Sequence, residues 1–503
     1  MKKGPTILVA LIVVVFAALL YWRMNSNGVI SPGGQEQISR VIDRPIRVGI
    51  VTWGGYAGGI MENNGFKASK KSDFYRDYGI EVDLKVIDDF VQSRSAFKAG
   101  GDKDGIDIVW ATVDAYALEY PALRELKPVT IMQYDWSRGG DAIAVDGNII
   151  KSAQDLKGKS ISVAEDTPSH YFALFVLDEA GLRPSDVKWR FTNSAIDAAN
   201  VFKAGRTDAT VSWSPDVYIA AEKRSSGRIL MSTREATHLI ADIFVARGDF
   251  VEKYPEAVKR FVNGWLDGVD KVHQDPKPVV KLMADGFGLS MDDSDAMLLD
   301  VHLPNYADNM NFFDSMNNPV SYDAVFNKAS KLWQDLGKLD KIYSAKESRN
   351  TSFLLDIGHK FRNQEPADKI VLGPRPTGGG ETLITKRVTI NFPSGVAELN
   401  SQATSVVRNE VSQFVATYGG CFVSIEGNTD NTGGYDLNKR LSMQRANAVK
   451  DLLVREYNMP SDRFDVKGNA WDKPVASNAT AAGRAKNRRT DIVIQRFAQF
   501  TAN

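Results

Sequence analysis

The sequence predicts a two-lobed α/β domain followed by a smaller α+β sandwich domain, with one transmembrane helix ahead of both. Three patterns support this prediction. Short β-branched runs alternate with helical patterns from residue 46 to residue 246, and the pattern is then helical as far as residue 336. A Pro- and Gly-rich break at 363–380 precedes a second alternation of strands and helices. A long uncharged run lies near the N-terminus.

The composition is that of an ordinary folded protein with several domains. Of the 503 residues, 43% are hydrophobic and 25% are charged, and 62 Lys and Arg balance 62 Asp and Glu. This balance leaves no overall positive field, so we expect no nucleic-acid partner. The single cysteine, Cys421, excludes an internal disulfide and a Cys-rich zinc site, and with five histidines we expect no metal and no cofactor.

The N-terminal segment predicts a membrane anchor. Lys2 and Lys3 precede an uncharged run, Thr6–Trp22, that ends at Arg23. As a helix the run would span about 26 Å, close to the ~30 Å hydrocarbon layer of a bilayer. It lacks an Ala-x-Ala-like cleavage site, so we expect a retained single-pass anchor in the inner membrane, with the bulk of the chain in the periplasm. The alternative is a signal peptide that is cleaved after export to the periplasm.

Composition also divides the rest of the chain. A stretch rich in Gly, Ser, Asn and Pro follows the uncharged run, and prolines with a Gly triplet interrupt the periodicity again after the large domain. The expected parts are residues 1–24 (anchor), 25–43 (tether), 44–350 (two-lobed domain), 351–383 (linker) and 384–496 (sandwich domain).

Apolar periodicity places the elements of the large domain. The predicted strands are Ile46–Trp53, Glu81–Ile87, Ile106–Thr112, Asp141–Val145, Ser160–Ala164, Val187–Phe191, Ala209–Trp213, Arg228–Met231 and Asp242–Ala246. The predicted helices are Ser93–Lys98, Tyr171–Ala180, Ala195–Lys203, Tyr254–Val272, Lys277–Asp285 and Tyr322–Leu336. The helical finish after two α/β sections favours a two-lobed clamp over a single doubly wound sheet.

The order and spacing of these segments resemble the periplasmic solute-binding proteins of the nitrate, sulfonate and taurine class, including their thiamine-precursor relatives. The resemblance covers residues 46–340 and rests on IRVGIVTWGGYAGG (46–59), DFYRDYGIEVDLKVI (73–87), GIDIVWATVDAY (105–116), LKGKSISVAEDTPSHYFALFVLDEAGL (156–182) and VFKAGRTDATVSWSPDVYIA (201–220). It implies a type II periplasmic-binding-protein fold, in which two crossovers join two α/β lobes and a solute is held in the cleft of an ABC-transporter-type clamp.

Candidate solute-binding residues follow the predicted strands. A strand end followed by small or hydroxylated residues and a helix presents free backbone N–H groups and the positive end of a helix dipole, which favour an anionic group. Trp53 and Trp213 could pack on the apolar part of a solute, while Asp114 or Asp216 could bind an ammonium group. We therefore expect an anionic or zwitterionic solute, bound by Trp53, Gly54, Gly55, Ser93, Thr112, Asp114, Thr167, Ser169, His170, Trp213 and Asp216.

Structural interpretations of these residues remain open. Gly54 and Gly55 could form a plain turn, Ser169 could be a helix N-cap, and the two tryptophans could belong to the core. Asp114 and Asp216 could cap the helices that follow them. No nucleophile with a neighbouring base is apparent, so we do not expect an enzyme, and a pyrimidine-forming relative of the clamp is the enzymatic alternative.

The second domain has a more specific pattern. Its predicted strands are Val388–Phe392, Cys421–Gly427, Arg463–Gly468 and Thr490–Gln495, and its predicted helices are Ser401–Tyr418, Asp436–Tyr457 and Ala481–Arg488. FPSGVAEL, EGNTDNTG, LNKRLSMQRANAV and GRAKNRRTDI resemble the OmpA-like peptidoglycan-binding domain in order and spacing over residues 384–496. The resemblance implies that Asp430 and Arg445 hold the diaminopimelate of the peptide stem. Asn428 departs from the family, which more often has histidine there.

The chemistry of diaminopimelate suits this pair. It exposes an ammonium and a carboxylate on one carbon, so its receptor needs one acceptor and one fork-shaped donor. Asn438 lies two helical turns before Arg445 on the same helix face, which can lie beneath the turn that contains Asn431. The expected site is Asp430, Arg445, Asn431, Thr432, Asn438 and Leu441. Outside this motif, Asp430 and Arg445 would be interpreted as a surface ion pair. Arg488 and Arg489 are expected to fix the last strand in place.

Together these patterns predict a membrane-anchored periplasmic protein that binds a small solute and attaches non-covalently to peptidoglycan. A membrane permease or another inner-membrane protein is a possible further partner. In the alternative, the clamp binds no solute and serves as a scaffold in a wall-tethered inner-membrane complex.

Overall fold

The computed structural model describes residues 41–370, 372, 375, 380–390, 392 and 396–496. The predicted anchor (1–24) and nearly all of the tether (25–43) lie outside these residues. Within them, no helix is both long enough and apolar enough to cross a bilayer.

The strands of the large domain form two sheets. They are β1 (Ile46–Ile50), β2 (Val82–Val86), β3 (Ile108–Thr112), β4 (Val129–Ser137), β5 (Asp141–Asp146), β6 (Ser160–Ala164), β7 (Lys188–Thr192), β8 (Ala209–Trp213), β9 (Gly227–Ser232), β10 (Ala241–Ala246) and β11 (Val301–His302). The first sheet has the order β11-β4-β10-β3-β1-β2 and the second β7-β6-β8-β5-β9. The chain passes between them at residues 138–140 and 233–240, so two crossovers join two lobes, as predicted.

Helices cover both sheets of the large domain. They are α1 (Ala57–Asn63), α2 (Asp73–Tyr78), α3 (Phe90–Ala99), α4 (Val113–Leu123), α5 (Pro168–Glu179), α6 (Ala195–Lys203), α7 (Asp216–Lys223), α8 (Gly248–Lys253), α9 (Pro255–Gln274), α10 (Lys277–Phe287), α11 (Met291–Leu299), α12 (Tyr306–Phe312), α13 (Tyr322–Asp335) and α14 (Ser352–Ile357). The parallel strands β1 and β3 are almost entirely buried, as expected for strands with helices on both faces. The longest helix, α9, packs its apolar face on α1.

The C-terminal domain is an α/β sandwich. Its elements are β12 (Glu381–Val388), α15 (Ser401–Val406), α16 (Ser412–Thr417), β13 (Phe422–Asn428), α17 (Tyr435–Tyr457), β14 (Phe464–Gly468), α18 (Ala481–Asn487) and β15 (Arg489–Arg496), in the sheet order β12-β15-β13-β14. A π-helical turn, Val407–Val411, separates α15 from α16 inside the single helix that we predicted. The first strand starts seven residues before the predicted Val388, because Glu381–Val388 pairs with β15.

The C-terminal domain lies directly against the large domain. Lys386 of β12 pairs with the buried Glu179 at the end of α5, and Arg228 pairs with Glu381 at 2.5 Å. The backbone N–H of His238, in the second crossover, donates to the carbonyl of Thr417 at 3.1 Å. The two domains therefore contact each other through ion pairs and hydrogen bonds, and also through buried rings such as those of Phe175 and Tyr418, whose centres are 6.4 Å apart.

Candidate functional site

The C-terminal domain has a pocket of about 590 Å³ where the ends of β13 and β15 face α17. The turn that follows β13 forms one wall, and Leu441 of α17 contributes an apolar surface. The charged side chains that line the pocket are one acid, Asp430, and four arginines, Arg445, Arg484, Arg488 and Arg489. The pocket therefore offers one acceptor-only group among several positive donors.

Asp430 is held by two donors at the base of the turn. Its Oδ1 accepts the backbone N–H of Thr432 at 2.8 Å, and its Oδ2 accepts Arg488 Nη1 at 2.6 Å. The residue is only 7% exposed. Burial alone would raise the pKa of Asp430, but the bonds from Arg488 and Thr432 hold that pKa below its usual value. The carboxylate is thus ionised and fixed in position at neutral pH.

Arg445 lies in the same pocket on α17. Its Nε donates to the carbonyl of Val396 at 3.1 Å, and its guanidinium lies 4.8 Å from the centre of the Phe392 ring. Burial and the charge of Arg488 lower the pKa of Arg445, while the charge of Asp430 opposes this shift. A carboxylate bound here would face two guanidinium groups, from Arg445 and Arg488.

The turn is fixed by an amide on the same helix. Asn438 Nδ2 donates to the carbonyl of Thr432 at 2.9 Å and to that of Gly434 at 3.1 Å. Asn428, at the end of β13, donates through its amide to Asp491 at 3.1 Å. Both asparagines hold backbone or neighbouring side chains in place at the rim of the pocket.

The structure gathers most of the predicted peptidoglycan residues around this pocket. Asp430, Thr432, Asn438, Leu441 and Arg445 line it, while Asn431 is exposed on the turn outside the lining. The sequence analysis did not predict that Arg488 pairs directly with Asp430. The only feature of the sequence that could have indicated this pair is the motif GRAKNRRTDI, which contains Arg488. Arg489, in contrast, pairs with Asp491 of its own strand at 2.7 Å.

The second candidate site is the cleft where the two lobes meet. In the first lobe, Thr112, Asp242 and Asp135 occupy one row across β3, β10 and β4. In the second lobe, Asp141 pairs with Trp213 at the edge of β5 and β8. These rows lie beside the crossovers, where the carboxyl ends of parallel strands place a ligand.

Aromatic side chains connect the two lobes. Phe90, at the start of α3, lies 5.0 Å from Trp110 and 6.4 Å from Trp213 between ring centres. Trp53 donates its indole N–H to Asp135 at 2.6 Å. A Cβ at Gly140, in the first crossover, would lie 2.0 Å from the Trp53 ring, so this ring packs on the crossover backbone.

The two predicted glycines serve close packing. A Cβ at Gly55 would lie 1.6 Å from the Asp135 carboxylate, and a Cβ at Gly54 would lie 2.3 Å from the carbonyl of Met297. Both are buried in a short 3₁₀ turn, so they let other groups approach the backbone.

The hydroxyl groups of the predicted solute-binding residues fall into two pairs, one that is hydrogen-bonded and one that is not. Thr112 caps α4 by accepting the N–H of Ala115 at 3.3 Å, and Thr167 donates to the carbonyl of Ala164 at 2.7 Å. Ser93 and Ser169 are fully buried, and neither hydroxyl finds a hydrogen-bond partner among the described residues. These two hydroxyls remain able to bond to another group.

The contacts of His170 and Asp216 indicate structural roles for both residues. The His170 ring packs about 5 Å from the rings of Trp189, Phe191 and Trp333. Burial lowers the pKa of His170 to about 4, so the imidazole is neutral at pH 7. Asp216 is partly exposed in the first turn of α7, where a carboxylate favours the helix dipole.

Four buried aspartates distinguish the cleft. Burial raises the pKa of Asp114 to about 8 and that of Asp141 to about 6. Burial also raises the pKa values of the neighbouring Asp135 and Asp242, and the charge of Asp141 raises both further. Burial therefore favours the neutral, protonated form of these carboxyl groups, which can donate as well as accept a hydrogen bond.

Outside these two sites, three acidic side chains lie close enough together to bind a metal ion. Carboxylate oxygens of Glu62, Asp73 and Asp77 lie within 4.8 Å of one another. Lys271 already donates to Glu62 and to Asp73, at 2.6 Å each. The lysine therefore supplies positive charge that a metal ion would bring.

Two family models match separate parts of the chain. Residues 64–278 match the family described as NMT1/THI5 like, and residues 391–488 match the OmpA family. The chain therefore joins an NMT1/THI5-like domain to a C-terminal OmpA domain, and the predicted fusion is confirmed.

Curated relatives match the C-terminal domain. The outer membrane protein Omp38 of Acinetobacter baumannii is 38% identical over 129 residues, which are 26% of this chain and 36% of that protein. Outer membrane porin F of Pseudomonas aeruginosa is 32% identical over 117 residues, covering 23% and 33% of the two chains. The peptidoglycan-binding protein ArfA of Mycobacterium bovis is 49% identical over 72 residues, covering 14% and 22%. The chain thus spans about a third, or less, of the length of these relatives.

Solved structures resemble a larger part of the chain. The aliphatic sulphonate binding protein SsuA from Escherichia coli has a TM-score of 0.49 at 17% identity, covering 67% of this chain and 98% of its own. The nitrate-binding protein NrtA from Synechocystis PCC 6803 has a TM-score of 0.48 at 15% identity, covering 67% and 93%. The desulfurization enzyme DSZB has a TM-score of 0.43 at 14% identity, covering 63% and 100%.

Proposed function

We propose that this fusion of an NMT1/THI5-like domain and an OmpA domain binds a small solute between its lobes and attaches non-covalently to peptidoglycan. Neither activity requires a covalent step, so the chain acts as a binding protein. The predicted anchor at residues 1–24 would hold the chain in the inner membrane with both domains in the periplasm. Alternatively, these residues are a signal peptide, and the intact mass of the mature chain distinguishes the two.

The observation that carries the peptidoglycan proposal is the arrangement around Asp430. One ionised carboxylate and the guanidinium groups of Arg445 and Arg488 lie in a single pocket. An ammonium of diaminopimelate would bind Asp430, and the carboxylate on the same carbon would bind the arginines. The similarity to a relative that is named a peptidoglycan-binding protein supports this assignment.

Sedimentation with purified peptidoglycan tests the pocket. We expect Asp430→Ala and Arg445→Ala to abolish co-sedimentation, because each removes one half of the zwitterion clamp. Arg488→Ala should weaken binding at least about tenfold, with partial recovery in Arg488→Lys, since lysine keeps the charge but loses the fork.

Arg455→Ala is the matched control, because Arg455 is exposed at the far end of the same helix. Circular dichroism of each variant checks the fold. Unchanged sedimentation of Asp430→Ala and Arg445→Ala, with the fold intact, would reject the site.

The solute proposal rests on the cleft. Buried hydroxyls lie in the first turns of two helices, Ser93 in α3 and Ser169 in α5, and Trp213 ends β8 in the second lobe while Trp53 follows β1 in the first. A permease or another inner-membrane protein would be the partner that recognises the closed, solute-bound state of the two lobes. The scaffold alternative is favoured by one observation, the bonds from the C-terminal domain to the second crossover. A clamp that binds nothing would show no ligand-dependent rise in melting temperature.

A further inference from the structure

The pocket of the C-terminal domain contains more donors than the proposed clamp uses. The clamp consists of Asp430 for an ammonium, with Arg445 and Arg488 for the carboxylate on the same carbon. Arg484 and Arg489 also line the pocket, and Asp430 is the one acid among the described lining residues. Pockets of about 590 Å³ can bury a whole drug-sized ligand, which is more than one amino-acid head group. The additional positive groups therefore indicate a second acceptor on the ligand.

Arg484 forms no ion pair with an acid among the residues that the structure describes. Its Nη1 donates to the carbonyls of Asn478 at 2.9 Å and Ala479 at 3.3 Å, and both acceptors are neutral. Arg484 lies on α18 four positions before Arg488, whose backbone N–H donates to the Arg484 carbonyl at 3.1 Å. Residues at this spacing share one helix face. Arg484 is therefore one turn away from the arginine that holds Asp430.

Two further donors are buried in the pocket wall without a partner in the described part of the chain. Thr429 is 4% exposed, and its Oγ1 makes no hydrogen bond there. Arg489 bonds to Asp491 through Nε at 2.9 Å and Nη2 at 2.7 Å, but its buried Nη1 has no partner. Both residues line the pocket. Because buried polar groups are rarely left unpaired in folded proteins, these two donors indicate a bond to a ligand.

The register of the sheet brings these two residues to the same sheet end. Asn428, the last residue of β13, is paired with Arg489, the first residue of β15. Thr429 follows Asn428 directly and precedes Asp430. The unpaired hydroxyl therefore lies between the paired strand ends and the acid of the clamp, so that Thr429, Arg484 and Arg489 form one group of donors beside the clamp.

A carboxylate fits this group of donors. It is an acceptor with about four lone-pair sites, and its hydrogen bonds to guanidinium groups are strengthened by charge. An ammonium would be repelled by the two guanidinium groups. A carboxylate would also compensate the charge of Arg484, which a neutral carbonyl would not.

We propose, resting on the peptidoglycan-binding function above, that the pocket binds a second carboxylate of the same peptide stem through Arg484, Arg489 Nη1 and Thr429 Oγ1. A stem tetrapeptide of alanine, γ-linked glutamate, diaminopimelate and alanine has two candidates outside the zwitterionic carbon. They are the α-carboxylate of the glutamate and the terminal carboxylate of the last alanine. The protein would then select stems in which the bound carboxylate is not amidated.

Isothermal titration of the full-length protein with soluble tetrapeptides tests the second carboxylate. The probes are the parent tetrapeptide and its two monoamides, one amidated at the glutamate α-carboxylate and one at the terminal alanine. We expect one monoamide to bind about tenfold more weakly than the parent, because amidation removes the charge and keeps the shape. The monoamide that loses affinity identifies the bound carboxylate.

Variants of the donors test the assignment to these residues. Arg484→Gln should weaken binding of the parent about tenfold and abolish the difference between the parent and that monoamide. Thr429→Val should weaken binding about fivefold, the usual effect of one hydrogen bond. This variant should fold, because Oγ1 has no partner to lose among the described residues. Lys486→Gln, exposed on the same helix and outside the lining, is the matched control.

The outcomes separate this inference from the proposed function. If both monoamides bind as tightly as the parent, the second carboxylate is wrong while the zwitterion clamp stands. If amidation weakens binding as much in Arg484→Gln as in the unaltered protein, the assigned donors are wrong. If the parent tetrapeptide does not bind, the proposed attachment to peptidoglycan fails and this inference fails with it.

Discussion

At the scale of single residues, the aspartates of the two sites have opposite electrostatics. Asp430 keeps its charge because Arg488 and a backbone N–H compensate it. For Asp114, burial outweighs the hydrogen bonds from the Thr112 hydroxyl and a backbone N–H, and it raises the pKa to about 8. A carboxyl group that binds a proton more tightly in the folded state than in the unfolded state stabilises the fold only while it is protonated.

We therefore expect the ligand-free protein to lose stability between pH 6.5 and pH 8.5. An unfolded aspartate titrates near 3.9. The stabilisation from the raised pKa of Asp114 is fully present below that value and disappears as the pH rises through about 8. Burial also raises the pKa values of Glu62 and Asp135, to about 7, so these groups titrate in the same window and the difference between the protein and Asp114→Asn isolates Asp114. Urea unfolding at both pH values, with Asp114→Asn alongside, measures the effect. An equal loss in the variant would contradict it.

At the scale of elements, the short 3₁₀ turn Gly54–Tyr56 packs closely against β4. Gly55 lies so close to the Asp135 carboxylate that a Cβ would stand 1.6 Å from Oδ2. The indole of Trp53, just before the same turn, donates to that carboxylate. The position of Asp135 in the cleft thus depends on the absence of a side chain at residue 55.

Gly55→Ala should displace Asp135 and lower stability by about 1–3 kcal/mol, the usual cost of overpacking a buried site. Denaturant unfolding of the full chain measures this change. Gly434→Ala is the comparison, because a Cβ there meets nothing within 4 Å. A loss no larger at residue 55 than at residue 434 would show that the turn and β4 can move apart freely.

Most strands were predictable from apolar periodicity, whereas eight of the fourteen helices described in the large domain, most of them short, were not predicted. Strand β4 was missed because it is buried on both sides and carries polar residues, including Gln133 and Asp135. The amide of Gln133 donates to the carbonyl of Asp135 at 3.1 Å, and its backbone N–H donates to Asn309, a partner far along the chain, at 2.9 Å. The first strand of the C-terminal domain was placed too late, since its pairing with β15 is also a distant contact.

The shared pocket of Asp430 and Arg445 was predictable because a local motif exists there. Asp430 and Arg445 lie within a short motif and line one pocket. The bond from Arg488 to Asp430 joins residues 58 apart, so periodicity could not reveal it. The four cleft aspartates come from separate strands and a helix, and their grouping depends on the fold as a whole.

At the scale of the whole molecule, the C-terminal domain is fixed to the second lobe and to a crossover. Glu179 is 4% exposed and pairs with Lys328 and with Lys386 of β12. Arg496 at the end of β15 pairs with Glu235 at 3.1 Å, within the second crossover. A buried acid between two lysines makes this interface sensitive to charge reversal.

Lys386→Glu should release the C-terminal domain from the large domain, because it places a second carboxylate beside the buried Glu179. Hydrogen exchange measures the release as faster exchange at residues 233–240, where the backbone N–H of His238 bonds to Thr417. Lys281→Glu, exposed on α10, should leave this exchange unchanged. Full protection in Lys386→Glu would mean that other contacts suffice to hold the interface.

The bond between His238 and Thr417 has a mechanical consequence. Any swing of one lobe about the other must bend residues 233–240, and the backbone of that segment is hydrogen-bonded to the domain that contains the Asp430 pocket. If the C-terminal domain binds peptidoglycan as proposed, a force on that domain would therefore be transmitted directly to the crossover at residues 233–240, without passing through the core of either lobe. Conversely, when the crossover at residues 233–240 bends, either the C-terminal domain moves with it or the bond between His238 and Thr417 breaks.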